Sequence, residues 1–215
     1  MPEDRTSTNC QLFLVVPPDL NHDMAVQVAE AGSFGNIACA LLQCEPDGRI
    51  NLDLAEMLLR FTRSAGVPLL FEKDIAAAGE LGADGAHIPV DEDIYNEARQ
   101  VLGENSIIGV ECGLSRHDAL TLGELGADYV AFKGASGTAA NSIEIGLDEL
   151  IRWWSETVIV PCVAWDTSGG CTTRRLADAG ADFVARGSSV WSHPEGPVAA
   201  VRLLMDKLSE HKASA

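Results

Sequence analysis

Apolar residues come in short runs along this 215-residue chain: LFLVV at 12–16, IACALL at 37–42, VPLLF at 67–71, GAHI at 85–88, SIIGV at 106–110, YVAF at 129–132, VIVPCVA at 158–164 and FVAR at 183–186. Runs this short, with little polar alternation, read as strands covered on both faces, as in a parallel sheet packed under helices. Between them apolar positions return at helical spacing, as in Leu54, Met57, Leu58 and Phe61, in Leu176 and Ala179, and in Val198, Val201, Leu204 and Leu208. Strands alternating with helices predict parallel strands joined by crossovers. Eight strands, at about 27 residues per strand–helix unit, fit a closed (β/α)8 TIM barrel in a single compact domain. A doubly wound open sheet is the competing arrangement; a dinucleotide fold of that kind would carry G-x-G-x-x-G after its first strand, and none stands there.

Three joints repeat one phrase: ELGADGAHIPV (80–90), ELGADYVAFKG (124–134) and, more loosely, DAGADFVARGS (178–188). The glycine of each Gly-Ala-Asp is placed to end a helix in a left-handed turn, the alanine allows close packing, and the short loop delivers the chain into the next strand. The phrase therefore marks the structural, helix-to-strand side of the fold. Function is expected at the opposite side, where the strands end.

Composition adds limits. With 47% hydrophobic and 22% charged residues the chain can bury its own core, and the expected layout is a barrel over 11–209 with flexible tails at 1–10 and 210–215. A formal charge of −17 disfavours nucleic acid and anionic membranes as bulk partners, while a small anionic ligand responds only to local charge. Six cysteines, Cys10, Cys39, Cys44, Cys112, Cys162 and Cys171, form no C-x-x-C pair, which suits a reduced compartment. The start MPEDRTSTNC lacks the basic and apolar segments of a secretory signal, and no apolar run approaches membrane-spanning length, so a soluble, cytoplasmic protein is expected.

The strand ends hold the candidate chemistry. Lys133 closes strand six, a position aimed into a barrel mouth, where desolvation can make a lysine a Schiff-base nucleophile; an ion pair with Glu111 or Glu72 is the plainer role. Glu72, Asp91, Glu92, Asp93 and Glu111 could gather round a divalent ion, although Asp91-Glu92-Asp93 equally suits a helix start. Arg186 and Lys73 are rim cations for an anion. Gly187-Ser188 offers backbone amides to a phosphate. Cys112 takes an exposed position, as a nucleophile needs, but is rejected as one because the adjoining Glu111 would raise its pKa. Of the pair Trp153-Trp154, one ring is assigned to the core and the other to a homodimer contact.

From strand three onward the phrases GADGAHIPVDED, IIGVECG, GADYVAF and GADFVARGSSV resemble, in order and separation, the thiamine phosphate synthase family and the related thiazole tautomerases. The resemblance spans roughly residues 12–208. It implies a (β/α)8 barrel whose mouth binds small phosphorylated metabolites: a transferase of thiamine biosynthesis that joins a hydroxymethylpyrimidine diphosphate, with magnesium, to a thiazole phosphate. On that likeness Gln43 contacts the pyrimidine, Glu72 and Glu92 hold magnesium, Lys73 and Arg186 meet the diphosphate, and Gly187 and Ser188 take the thiazole phosphate. His87 occupies the family's histidine position, with a packed structural role as the alternative.

Several positions depart from the family pattern. Glu45 and Asp47 stand where it has two basic residues, Glu111-Cys112 replaces Ser-Thr, the lysine after strand six is missing, and Trp165-Asp166 replaces a phosphate-cradling glycine pair. Two other functions stay open at this level. One is a Schiff-base keto-acid aldolase using Lys133 with Glu45 or Glu111, the former pair resembling small aldolase barrels. The other is a ligand-sensing barrel without catalysis, which a mouth plugged by Trp165 or Phe132 would favour.

Overall fold

A computed structural model describes residues 10–32, 37–134, 140–165 and 173–209. Eight strands close into one parallel barrel in chain order: β1 (Gln11–Val16), β2 (Ile37–Leu42), β3 (Leu69–Glu72), β4 (Gly85–Pro89), β5 (Ile107–Gly113), β6 (Tyr129–Lys133), β7 (Cys162–Trp165) and β8 (Phe183–Arg186). The helices that follow are α1 (His22–Gly32), α2 (Leu52–Ala65), α3 (Ile75–Leu81), α4 (Glu92–Leu102), α5 (Arg116–Leu125), α6 (Ala140–Thr157), α7 (Thr173–Asp178), the one-turn α8 (Ser188–Trp191) and α9 (Pro197–Ser209). The closed ring is the expected TIM barrel, and the open sheet is excluded.

Two apolar layers result from the alternation of side chains along each strand. Phe13, Val15, Cys39, Leu41, Leu70, Tyr129, Ala131, Val163, Trp165 and Ala185 fill the bore. Their neighbours Leu12, Leu14, Ala40, Leu42, Phe71, Val130, Phe132, Ala164 and Val184 pack outward against the helices. The bore is asymmetric. A Cβ at Gly109 would lie 1.8 Å from Tyr129 Cζ, so the absence of a side chain on β5 is what lets the Tyr129 ring cross the interior.

The Gly-Ala-Asp joints work as expected in two residues and add a third device. Gly82, Gly126 and Gly180 have φ of 65°, 104° and 102°, and end α3, α5 and the α7 segment in left-handed turns. Each aspartate then reaches back to the preceding strand: Asp84 accepts the amide of Leu69, Asp128 that of Ile108 and Asp182 that of Cys162, all at 2.8 Å. The phrase thus ties β3 to β4, β5 to β6 and β7 to β8.

Two expectations shift. The apolar run at 158–164 enters the sheet only at Cys162, because Pro161 offers no amide; Ile159 is 87% exposed and Val160 uses its carbonyl to accept the indole N–H of Trp154 at 2.7 Å. Cys10, assigned by sequence to the flexible tail, is buried. Trp154 is the core ring of the tryptophan pair, and the Arg116 guanidinium covers Trp153 at 4.5 Å from its ring centre. No described helix is long and apolar enough to cross a membrane.

Candidate functional site

Strand parity decides which side chains reach the mouth. On β2, β3, β4, β5 and β6 the inward positions continue past the apolar bore as Gln43, Glu72, His87, Glu111 and Lys133, with Trp165 ending β7. The structure therefore brings five of the residues singled out from sequence to one opening. It places Arg186 differently. Arg186 pairs in register with Leu14, an outward residue, is 3% exposed, and donates to Ser189 Oγ at 2.8 Å. It braces the turn after β8 from behind.

A continuous polar chain runs from the bore to the mouth. His87, 2% exposed, lies 3.0 Å through Nδ1 from the Tyr129 hydroxyl and stacks on that ring at 5.8 Å. Burial raises the Tyr129 pKa well above its usual value, so the phenol keeps its proton and has Nδ1 of His87 within reach as an acceptor. Nε2 faces Glu111 Oε2 at 4.0 Å, and the tautomer with its hydrogen on Nε2 suits both the carboxylate on that side and the phenol on the other. Glu111 pairs with the Lys133 ammonium at 3.2 Å, and Lys133 rests over the Trp165 ring at 4.7 Å. The plainer role for Lys133, an ion pair with Glu111, is the one observed.

His87 and the Lys133 ammonium together outweigh desolvation and hold the Glu111 carboxyl down to about 2. At 4.0 Å the His87 contact is longer than a hydrogen bond, so the Lys133 pair is the firmer of the two. Nε2 of His87 has no hydrogen-bond partner among the described residues. Sequence reasoning missed Tyr129; the signal was a glycine, Gly109, at an inward position of the neighbouring strand.

A second opening lies beside the first. Val15, Pro17, Asp19, Leu20, Gln43, Ser188, Trp191 and Ser192 line a cavity of about 350 Å³ at the ends of β1, β2 and β8. Trp191 is fixed there by its indole N–H, which donates to the Val15 carbonyl at 2.6 Å. The cavity joins Gln43 to the exposed Ser188 hydroxyl, while Gly187 forms the N-cap of α8 and accepts the Val190 amide at 2.8 Å. Asp19 and Trp191 had no sequence signal beyond their positions after β1 and β8.

The remaining candidates are dispersed. Lys73 is exposed and is the one described non-glycine residue with positive φ, 63°. That left-handed turn is bound on both sides, by the Lys73 amide donating to the His87 carbonyl and the Ile75 amide donating to the Lys73 carbonyl, each at 2.9 Å. Glu45 is exposed in the β2–α2 turn, and Asp166 lies outside the described residues. Cys112, given an exposed position by sequence, is instead buried on the outward face, where burial raises its thiol to about 12. Phe132 also faces outward, against Trp154, so of the two candidate plugs only Trp165 stands in the bore.

The expected magnesium ligands are Glu72 and Glu92. Glu72 Oε2 accepts the Cys44 amide at 3.1 Å and its thiol at 3.4 Å, while Glu92 is exposed in the first turn of α4, whose N-cap is Asp91. Among the described residues no group of three His, Cys, Asp or Glu could hold a metal. This donor set fits a magnesium ion only if diphosphate oxygens and water supply most of its coordination.

Residues 12–190 match the family model described as thiamine monophosphate synthase. The chain belongs to that family. It is 38% identical over 201 residues to the thiamine-phosphate synthase of Rhodospirillum centenum, covering 90% of this chain and 95% of the relative. The thiamine-phosphate synthase of Hyphomonas neptunium is 36% identical over 203 residues, covering 89% and 90%. In fold, the chain resembles the thiamine phosphate pyrophosphorylase from Pyrococcus furiosus, with a TM-score of 0.74 at 22% identity, covering 95% of this chain and 98% of that one. Membership of the thiamine monophosphate synthase family disfavours the aldolase reading; of its two candidate proton carriers, Glu45 is exposed in the β2–α2 turn and Glu111 is the one beside Lys133.

Proposed function

We propose that this barrel is a thiamine-phosphate synthase, joining hydroxymethylpyrimidine diphosphate to a thiazole phosphate with release of diphosphate. The observation that carries this reading is the 38% identity to a thiamine-phosphate synthase across 95% of that relative's length. In the coupling, a carbon–nitrogen bond to the thiazole nitrogen forms as the carbon–oxygen bond to diphosphate breaks, and the electron pair leaves on diphosphate. The protein's task is to position two partners and to stabilise charge on the leaving group.

Two neighbouring openings suit two partners. The cavity of Gln43, Ser188 and Trp191 gives an apolar wall with an amide and a hydroxyl for the heterocycle and its phosphate, with Gly187 forming the turn. The diphosphate goes toward the β3–β6 side, where Lys73 and Lys133 supply positive charge in place of the family's missing basic pair. Glu72 and Glu92 would hold magnesium accompanying the diphosphate, and when bound that ion neutralises part of its charge. Arg186 acts through the turn, by holding Ser189.

The test is formation of thiamine phosphate from the two precursors with magnesium. K73A and K133A should each lower kcat/KM by about 10- to 100-fold, as expected for loss of a charge on the leaving group. Absence of product from folded protein at saturating precursors would overturn the reading, and binding of both precursors without product would make this a ligand-binding barrel.

A further inference from the structure

Three groups at the mouth are arranged around one exchangeable carboxylate. Glu111 Oε2 is 3.2 Å from Lys133 Nζ and 4.0 Å from His87 Nε2. Lys133 is also steadied by the Trp165 ring, so it keeps its position if Glu111 leaves. His87 is 2% exposed, its Nε2 has no hydrogen-bond partner among the described residues, and Tyr129 holds Nδ1. A buried N–H donor without an acceptor costs free energy that one carboxylate oxygen, moved by about 1 Å, would recover.

We propose that Glu111 is a displaceable counter-ion: a phosphate or diphosphate group of the ligand takes over Lys133, and Glu111 turns to accept a hydrogen bond from His87 Nε2. Lys133 is then the anion-binding residue of this mouth, and His87 and Glu111 are positioning residues that set when it is available. The exchange is favourable because both partners of the resting pair end with a partner. The ammonium gains a more highly charged anion, and the imidazole N–H gains its acceptor. Without His87, displaced Glu111 would lie as an unpaired like charge beside the incoming anion. The arrangement also explains why the inward carboxylate at this position does not exclude an anionic ligand.

This rests on the reading that a phosphorylated ligand enters the mouth, so the test uses inorganic diphosphate alone, without magnesium or the second precursor. Binding is measured by calorimetry on variants whose folding is verified by circular dichroism. E111Q should bind diphosphate about fivefold more tightly than the parent chain, because the competing anion is gone, and K133M should lose most of the binding. H87N and, as a second route to the same defect, Y129F should weaken binding about two- to threefold in the parent chain and leave it unchanged in the E111Q background. Histidine-labelled protein should show the Nε2 resonance move on adding diphosphate, and should lose that movement in E111Q. Equal weakening by H87N in both backgrounds would make His87 merely structural and overturn the proposal. So would an E111Q protein that binds no more tightly, or a K133M protein that binds as the parent does. A chain that binds diphosphate in this pattern yet makes no thiamine phosphate would sink the proposed coupling and leave this inference standing.

Discussion

The Glu111 carboxyl gives a stability prediction that does not depend on any ligand. Its pKa in the folded chain is depressed to about 2 from an ordinary 4.5. A depressed carboxylate stabilises the fold above its unfolded value and loses that contribution as the pH falls toward the folded value. Felt in full, a depression of this size would be worth about 3 kcal/mol. Two features reduce it. The side chain is 36% exposed, so water screens its pair with Lys133, and the His87 contact is 4.0 Å, longer than a hydrogen bond. About 1 kcal/mol is the expected contribution at neutral pH after that screening. Denaturant unfolding should therefore find E111Q less stable than the parent by about 1 kcal/mol at pH 7, a loss of roughly 2–4 °C in Tm for a chain of this size. The gap should hold down to about pH 5 and shrink by more than half by pH 3. Comparing the two proteins cancels the acid titration of the other carboxylates. A gap of equal size at pH 7 and pH 3 would refute the argument, because Glu111 would then stabilise by shape and not by charge.

Two further substitutions probe backbone and bore. K73G should raise Tm by about 2–4 °C, since glycine removes a left-handed cost of roughly 1 kcal/mol, while lowering kcat/KM for coupling; an unchanged Tm would mean that the 63° turn carries no strain. G109A puts a Cβ 1.8 Å from Tyr129 Cζ and should destabilise by about 3 kcal/mol in thermal unfolding. A near-neutral G109A would show that the Tyr129 ring is not confined by β5.

The barrel was legible because two periods in the sequence agree: apolar runs long enough for a strand, and apolar spacing of a helix between them. Six of the runs begin and end within two residues of their strands, 106–110 stops three residues short of the end of β5, and 158–164 misleads, where Pro161 interrupts a run that composition alone reads as continuous. Gly-Ala-Asp was legible as a helix stop through its glycine. The role of its aspartate was not, since the amide it accepts lies about 20 residues earlier and is brought near only when neighbouring strands pair. The same limit governs the site. Residues at strand ends are identifiable from sequence, but which of two successive residues faces the mouth depends on where the strand enters the closed ring. Arg186 follows the inward Ala185 and so turns outward, whereas Lys133 follows the outward Phe132 and turns in. One step along the chain exchanges a mouth cation for a buried brace.

That step bears on how so acidic a chain admits a phosphorylated ligand. Among the described residues, the inward charged groups ending β2 to β7 are Glu72, Glu111 and Lys133, one positive charge against two negative. The carboxylates are already engaged: Glu72 accepts from Cys44, and Glu111 is matched by Lys133. An incoming phosphate therefore meets one carboxylate paired with an ammonium that can be released and another held by Cys44, not the bulk charge of −17. Lys133 places positive charge at the end of β6, where the aromatic face of Trp165 and the exchangeable Glu111 keep it in place without a ligand. A cation held in this way discriminates by charge. A neutral ligand has nothing to offer in exchange for Glu111, whereas a diphosphate does.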